Sequence, residues 1–126
     1  VKEKISFEDL GPHEFVQTDD YPDFVIPCAK KVSATKNSLG IVLGGSGQGE
    51  AIAANKVKGI RTAVIYSLNK KIISLTREHN NANALSLGAR FISADEARAV
   101  VKSWLKTCFS DDARHVRRTA RLDEIS

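Results

Sequence analysis

The residues best suited to chemistry cluster in a run of glycines. Gly44-Gly45-Ser46-Gly47-Gln48-Gly49-Glu50 follows directly on the apolar run Leu39 to Leu43 and leads into Ala51-Ile52-Ala53-Ala54-Asn55-Lys56-Val57, a good helix sequence. The order strand, glycine turn, helix presents bare backbone N–H groups and the positive end of a helix dipole, which suits a phosphate or a developing oxyanion. Spacing excludes two phosphate motifs. A P-loop carries Lys and then Ser or Thr after its last glycine, whereas Gly49 is followed by Glu50-Ala51. A dinucleotide fingerprint needs G-x-G-x-x-G, and Gly45, Gly47 and Gly49 give G-x-G-x-G, one residue short. A plain tight turn into a helix is the competing reading.

Glu50 falls in the first turn of that helix. An acid there complements the dipole and contributes ~0.3–1 kcal/mol without any chemistry; beside an oxyanion-binding loop it also suits a general base. His79-Asn80 ends another helix candidate, where a histidine either caps the last turn or exchanges protons near neutrality. Arg114 and Arg118 are four apart and share a face if their segment is helical; they either pair with neighbouring acids or form a two-pronged phosphate clamp.

The elements that must hold these residues alternate between strand and helix. Phe7 to Leu10 is a short strand candidate ended by Gly11-Pro12, and His13 to Asp20 is polar and loop-like. A helix starts near Pro22, with Phe24, Val25, Cys28, Ala29 and Val32 as its buried face and Pro27 as an awkward interior residue. Arg61 to Tyr66 is rich in β-branched residues and reads as a strand. Lys70 to Arg77 reads as a helix, Ala84 to Leu87 as a buried strand, and Ala94 to Lys106 as an amphipathic helix bearing Ala97, Val100, Val101, Trp104 and Leu105. Such alternation predicts a parallel sheet covered on both faces. No repeat or low-complexity stretch interrupts it, and 1–126 is expected to be one domain.

Composition narrows the functional classes. Hydrophobic residues make up 42% and charged residues 27%, an ordinary globular balance, and no apolar run approaches the ~20 residues of a membrane span. The net charge of +4 raises nucleic acid as a partner. Yet the C-terminal arginines Arg114, Arg117, Arg118 and Arg121 are balanced by Asp111, Asp112, Asp123 and Glu124, and no basic run is interleaved with aromatics. Neither nucleic acid nor membrane is expected. Cys28 and Cys108 form no C-x-x-C and have no histidine at zinc spacing, so both read as reduced thiols of a cytoplasmic protein, with no metal site. The opening Val1-Lys2-Glu3-Lys4-Ile5 reads like the interior of a helix, so the native N-terminus is expected to lie outside this sequence.

Taken together, the motifs resemble a known family. Gly45-Ser46-Gly47-Gln48-Gly49-Glu50-Ala51-Ile52-Ala53-Ala54-Asn55-Lys56-Val57-Lys58-Gly59-Ile60-Arg61 closely resembles the signature of the ribose-5-phosphate isomerase B / galactose-6-phosphate isomerase family. Arg77-Glu78-His79-Asn80-Asn81-Ala82-Asn83 with Leu87-Gly88-Ala89-Arg90, then Asp20-Tyr21-Pro22-Asp23, and Arg114-His115-Val116-Arg117-Arg118 are similar to further blocks of it. The resemblance runs from about Asp9 to the C-terminus.

The resemblance implies a Rossmann-like three-layer α/β/α sandwich with a parallel sheet of about five strands, assembled as a homodimer or homotetramer with active sites between subunits. It implies an aldose–ketose isomerase that works without cofactor or metal. Many members use a cysteine base at the position of Gly44; a second branch places a glutamate where Glu50 stands. Glu50 is then the base that moves a proton between C2 and C1. The amides around Gly45, Ser46, Gly47 and Gly49 stabilise the enediolate, His79 assists ring opening, and Asn80 holds a substrate oxygen. Arg114 and Arg118, with Arg90 as a weaker candidate, bind the phosphate, the C-terminal arginines serving a neighbouring subunit's site. Ribose-5-phosphate is the expected substrate; galactose-6-phosphate, allose-6-phosphate or a non-catalytic sugar-phosphate-binding role are the alternatives. The family's opening strand, with its Asp-His pair, has no counterpart in this sequence.

Overall fold

The computed structural model describes residues 5–125. Its elements are α1 (Pro22–Ala34), β1 (Gly40–Gly44), α2 (Gln48–Asn55), β2 (Thr62–Ile65), α3 (Lys70–Glu78), β3 (Ala84–Gly88), α4 (Ala94–Lys106) and α5 (Ala113–Asp123). The three strands form one parallel sheet in the order β1-β3-β2. Gly40 and Thr62 both lie level with Ala84, and Gly44 lies level with Gly88. All strands therefore end on one side of the sheet, and each βα turn opens there.

Side-chain alternation along β3 feeds two cores. Ala84 joins Val42, Ile60, Val25 and Ala29 of α1, and Ala53 and Ala54 of α2. Leu85 and Leu87 join Ile65, Ile73 of α3, and Val100 and Trp104 of α4. All five residues of β3 are buried, as suits a central strand covered on both faces. The result is the expected α/β/α layering.

Local chemistry sets several boundaries. The Asn69 side chain accepts from the Ile72 N–H, Ser93 from Glu96, and Asp112 from Arg114, so three helices start on side-chain caps. Helix α1 has Pro22 at its start, as expected, and runs through Pro27. That proline is exposed, which leaves the backbone carbonyl it frees within reach of water. Helix α2 begins at Gln48, earlier than the expected Ala51, so Glu50 lies inside it.

One expectation about strands changes. Phe7 to Leu10 is not a strand: among the described residues it has no neighbour to pair with, Phe7 is exposed, and the segment is tethered to α1 through a Glu8–Lys31 ion pair. Strand structure belongs to a ladder, and a β-prone sequence without a partner stays coil. The described sheet holds three of the roughly five parallel strands that the resemblance implied for the family. The helix-like reading of residues 1–5 lies, except for Ile5, outside the described residues. No described helix is long and apolar enough to cross a membrane.

Candidate active site

The glycine turn is fastened to the middle strand by its carbonyls. Gly44 O accepts from the Ala89 N–H at 2.7 Å and Gly45 O from the Arg90 N–H at 3.1 Å. Gly47 O accepts from the Ser86 hydroxyl at 2.6 Å and from the Ala51 N–H at 3.1 Å. With these acceptors turned inward, the donors are left for whatever sits in front. Among the hydrogen bonds of the described residues, none is donated by the backbone N–H of Gly45, Ser46 or Gly47. Gly47, the residue before α2, has φ +75, and a Cβ there would meet the Leu87 backbone at 2.9 Å, so only glycine fits. The Ser46 hydroxyl accepts from the Gln48 N–H at 3.2 Å.

Glu50 is buried, 7% exposed, and its carboxylate lies directly over the Cα of Gly44. It occupies the space that a side chain at residue 44 would fill. The Arg90 guanidinium crosses Gly45, and the Tyr21 ring lies against Gly49 with its hydroxyl 2.5 Å from where a Cβ would stand. Gly45, Ser46, Gly47, Gly49, Glu50 and Arg90 are thus gathered at the carboxyl ends of the strands, the position where open α/β sheets bind ligands.

The other expected site residues are elsewhere. His79 follows α3 as its C-cap and, with Asn80, opens the turn that returns the chain to the start of β3. This turn is bound to the amino ends of the strands: the Asn83 N–H donates to Arg61 O at 3.0 Å, and the Arg61 side chain donates to Asn81 O and to Asp123 of α5. Helix α5, which carries Arg114 and Arg118 exposed on its surface, docks there through a stack of His115 on His79, ring centroids 4.1 Å apart. One chain therefore holds the expected residues at two poles, separated by at least a strand length of about 13 Å.

Arg77 closes the amino-end turn. It donates to Thr107 O, Asn81 Oδ1 and Ala82 O and lies over the Trp104 ring, and burial lowers its pKa. Burial also raises the Cys28 thiol's pKa, which suits a packed side chain and not a nucleophile. The reading of the sequence missed Tyr21, Ser86 and His115. Each left a signal: Tyr21 sits in the Asp-Tyr-Pro-Asp block, Ser86 is the lone hydroxyl of an apolar strand, and His115 separates residues of the arginine pair.

The geometry has close relatives. Residues 1–122 match the family described as Ribose/Galactose Isomerase. The chain is 46% identical over 116 residues to ribose-5-phosphate isomerase B of Mycolicibacterium paratuberculosis, covering 92% of this chain and 72% of that protein. It is 38% identical over 121 residues to the probable ribose-5-phosphate isomerase B of Mycoplasma pneumoniae, covering 96% and 78%. Among solved structures, ribose-5-phosphate isomerase B from Mycoplasma genitalium with bound ribulose-5-phosphate superimposes with a TM-score of 0.90 at 40% identity, covering 98% of this chain and 80% of that one. The Clostridium thermocellum enzyme gives 0.89 at 41%, covering 98% and 81%. From the glycine turn to the arginine helix, this chain belongs to the ribose/galactose isomerase family.

Proposed function

We propose that residues 1–126 form a sugar-phosphate isomerase domain that interconverts ribose-5-phosphate and ribulose-5-phosphate. The observation that carries this reading is the Glu50 carboxylate seated over Gly44, beside a turn in which the carbonyls of Gly44, Gly45 and Gly47 are held by β3, by Ala89 and Arg90, and by α2. A carboxylate placed there takes the proton from C2 of the open-chain aldose and returns it to C1. The negative charge that develops on the enediolate oxygens meets the N–H groups of Gly45, Ser46, Gly47 and Gly49. His79 passes a proton to the ring oxygen as the sugar opens, Asn80 holds a substrate oxygen, and Arg114, Arg118 and Arg90 take the phosphate.

The two poles make a second copy part of this reading. Glu50 of one copy would face His79, Asn80, Arg114 and Arg118 of another, in a homodimer or a pair of dimers. The unpaired cysteines Cys28 and Cys108 favour the cytoplasm as its location. The turn touches the phosphate and the reacting carbons and has no means of counting the others, so galactose-6-phosphate and allose-6-phosphate stand as second substrates to be tried.

The test is turnover of each sugar phosphate followed by NMR, with Glu50→Gln alongside. We expect wild type to convert ribose-5-phosphate and Glu50→Gln to lose at least ~10²-fold in kcat. With substrate well below the KM of Arg114→Ala, mixing Glu50→Gln with Arg114→Ala, after subunit exchange, should restore wild-type efficiency in about a quarter of the sites, because half of the dimers then hold one intact site. Turnover of six-carbon substrates alone would move the specificity. Binding without any turnover would make the chain a sugar-phosphate-binding module.

A further inference from the structure

The stack at the amino-end pole contains a group that the proposed reaction does not use. His115 is 6% exposed, deep for an imidazole, and lies nearly parallel to His79, 19° between planes. Its Nε2 is 3.4 Å from Nη2 of Arg114. Arginine only donates, so a hydrogen bond here calls for a lone pair on Nε2, that is, a neutral ring with its proton on Nδ1. The charged or titratable groups facing it are His79 from the end of α3, and Asp112, Arg114 and Arg118 from its own helix and cap. Three of those four are cationic or can become so, and a protonated His115 would repel Arg114 and lose the acceptor at once.

We infer that His115 is a positioning residue: its neutral ring fixes the Arg114 guanidinium by hydrogen bond and the His79 imidazole by stacking, joining phosphate binding and ring opening in one unit. The inference takes its substrate from the sugar-phosphate reading above and its geometry from the stack alone. Burial, with His79 and Arg114 next to it, lowers the pKa of His115, consistent with a ring kept neutral. Acid strong enough to protonate His115 should therefore weaken the grip on phosphate.

Two variants separate the parts of this role. His115→Gln keeps an acceptor but does not titrate; His115→Phe keeps a flat ring but accepts nothing. KM and kcat for ribose-5-phosphate would be measured from acid to mildly alkaline pH in wild type and both variants. For His115→Phe we expect KM to rise about tenfold at every pH with kcat within about twofold, the scale of a lost hydrogen bond to a charged group. For His115→Gln we expect a near-normal KM in alkali and a shallower rise toward acid than wild type. The phosphate of the substrate titrates identically in all three, so the difference between profiles belongs to His115. A His115→Phe enzyme with wild-type KM and profile would overturn the inference.

Nitrogen-15 NMR of the histidine rings provides a readout that needs no turnover. The expected result is an Nδ1–H tautomer for His115 that stays neutral at a pH where a histidine in a short peptide is charged. An Nε2–H tautomer, or ordinary titration, overturns the inference even if the enzyme is active. If wild type turns over no sugar phosphate, the functional reading fails by itself and the NMR result still decides this one.

Discussion

Replacing Gly44 by alanine tests the position of the proposed base, Glu50, with one methyl group. An ideal Cβ on Gly44 lands inside the contact shell of all three terminal carboxylate atoms of Glu50, and even the farthest, Oε2, is only 2.5 Å away. Ordinary contacts begin near ~3.5 Å, so the carboxylate must retreat by roughly 1 Å or more. The backbone has little room to yield instead, because Gly44 is in register with Gly88 and its carbonyl holds the Ala89 N–H at 2.7 Å. A misplacement of about 1 Å at a reacting group costs on the order of 10²-fold in rate. We expect Gly44→Ala to lower kcat for ribose-5-phosphate by about that factor. KM should change by no more than about threefold, since Arg114 and Arg118, the proposed main phosphate anchors, lie at the other pole of the chain. The assay is steady-state isomerisation, with a thermal melt to establish that the fold is kept. A folded variant with kcat within about threefold of wild type would refute the reasoning, since the base would then not be acting from above Gly44.

Other perturbations probe other parts of the molecule. Arg114→Ala should raise KM for the sugar phosphate about tenfold or more with a smaller change in kcat, the loss of one charge-assisted contact; unchanged kinetics would remove it as an anchor. Trp104 is fully buried under Arg77, so Trp104→Ala should cost ~3–5 kcal/mol in urea unfolding, and a loss below about 1 kcal/mol would contradict its central place. Stability should also depend on pH through His115. Its folded pKa is lowered, so the unfolded chain takes up the proton first; the contribution is whole above about pH 6.5 and shrinks as pH falls below it. Amide hydrogen exchange in α5 should therefore quicken in mild acid, after correction for intrinsic rates, and His115→Phe should abolish the effect.

What could be read in the sequence was whatever is local. The glycine turn, the proline opening α1 and the amphipathic stripe of α4 mark themselves by residue type and period; α1 and α4 lie where the pattern places them, and the glycine turn passes into its helix sooner, at Gln48. Phe7 to Leu10 has strand composition, but pairing is supplied by other residues, so composition alone misled. The candidate site residues could be picked out one motif at a time. Their division between two ends of the sheet was not, because it follows from α3 running back along the strands before His79 appears. Ser86 escaped for a related reason: a hydroxyl in Ala-Leu-Ser-Leu-Gly reads as a weak spot in a strand until its partner, the Gly47 carbonyl, is seen across the fold.

One edge of the sheet is closed by a side chain. Along β2 the Asn55 side chain donates to Thr62 O at 3.2 Å and accepts from the Thr62 N–H at 2.7 Å, standing in for a neighbouring strand. An exposed edge offers its unpaired backbone groups as a template for another strand. At Thr62 both groups are already taken, so the last residue of α2 ends its helix and blunts the sheet at the same time. A strand adding alongside β2 would first have to break both of these hydrogen bonds.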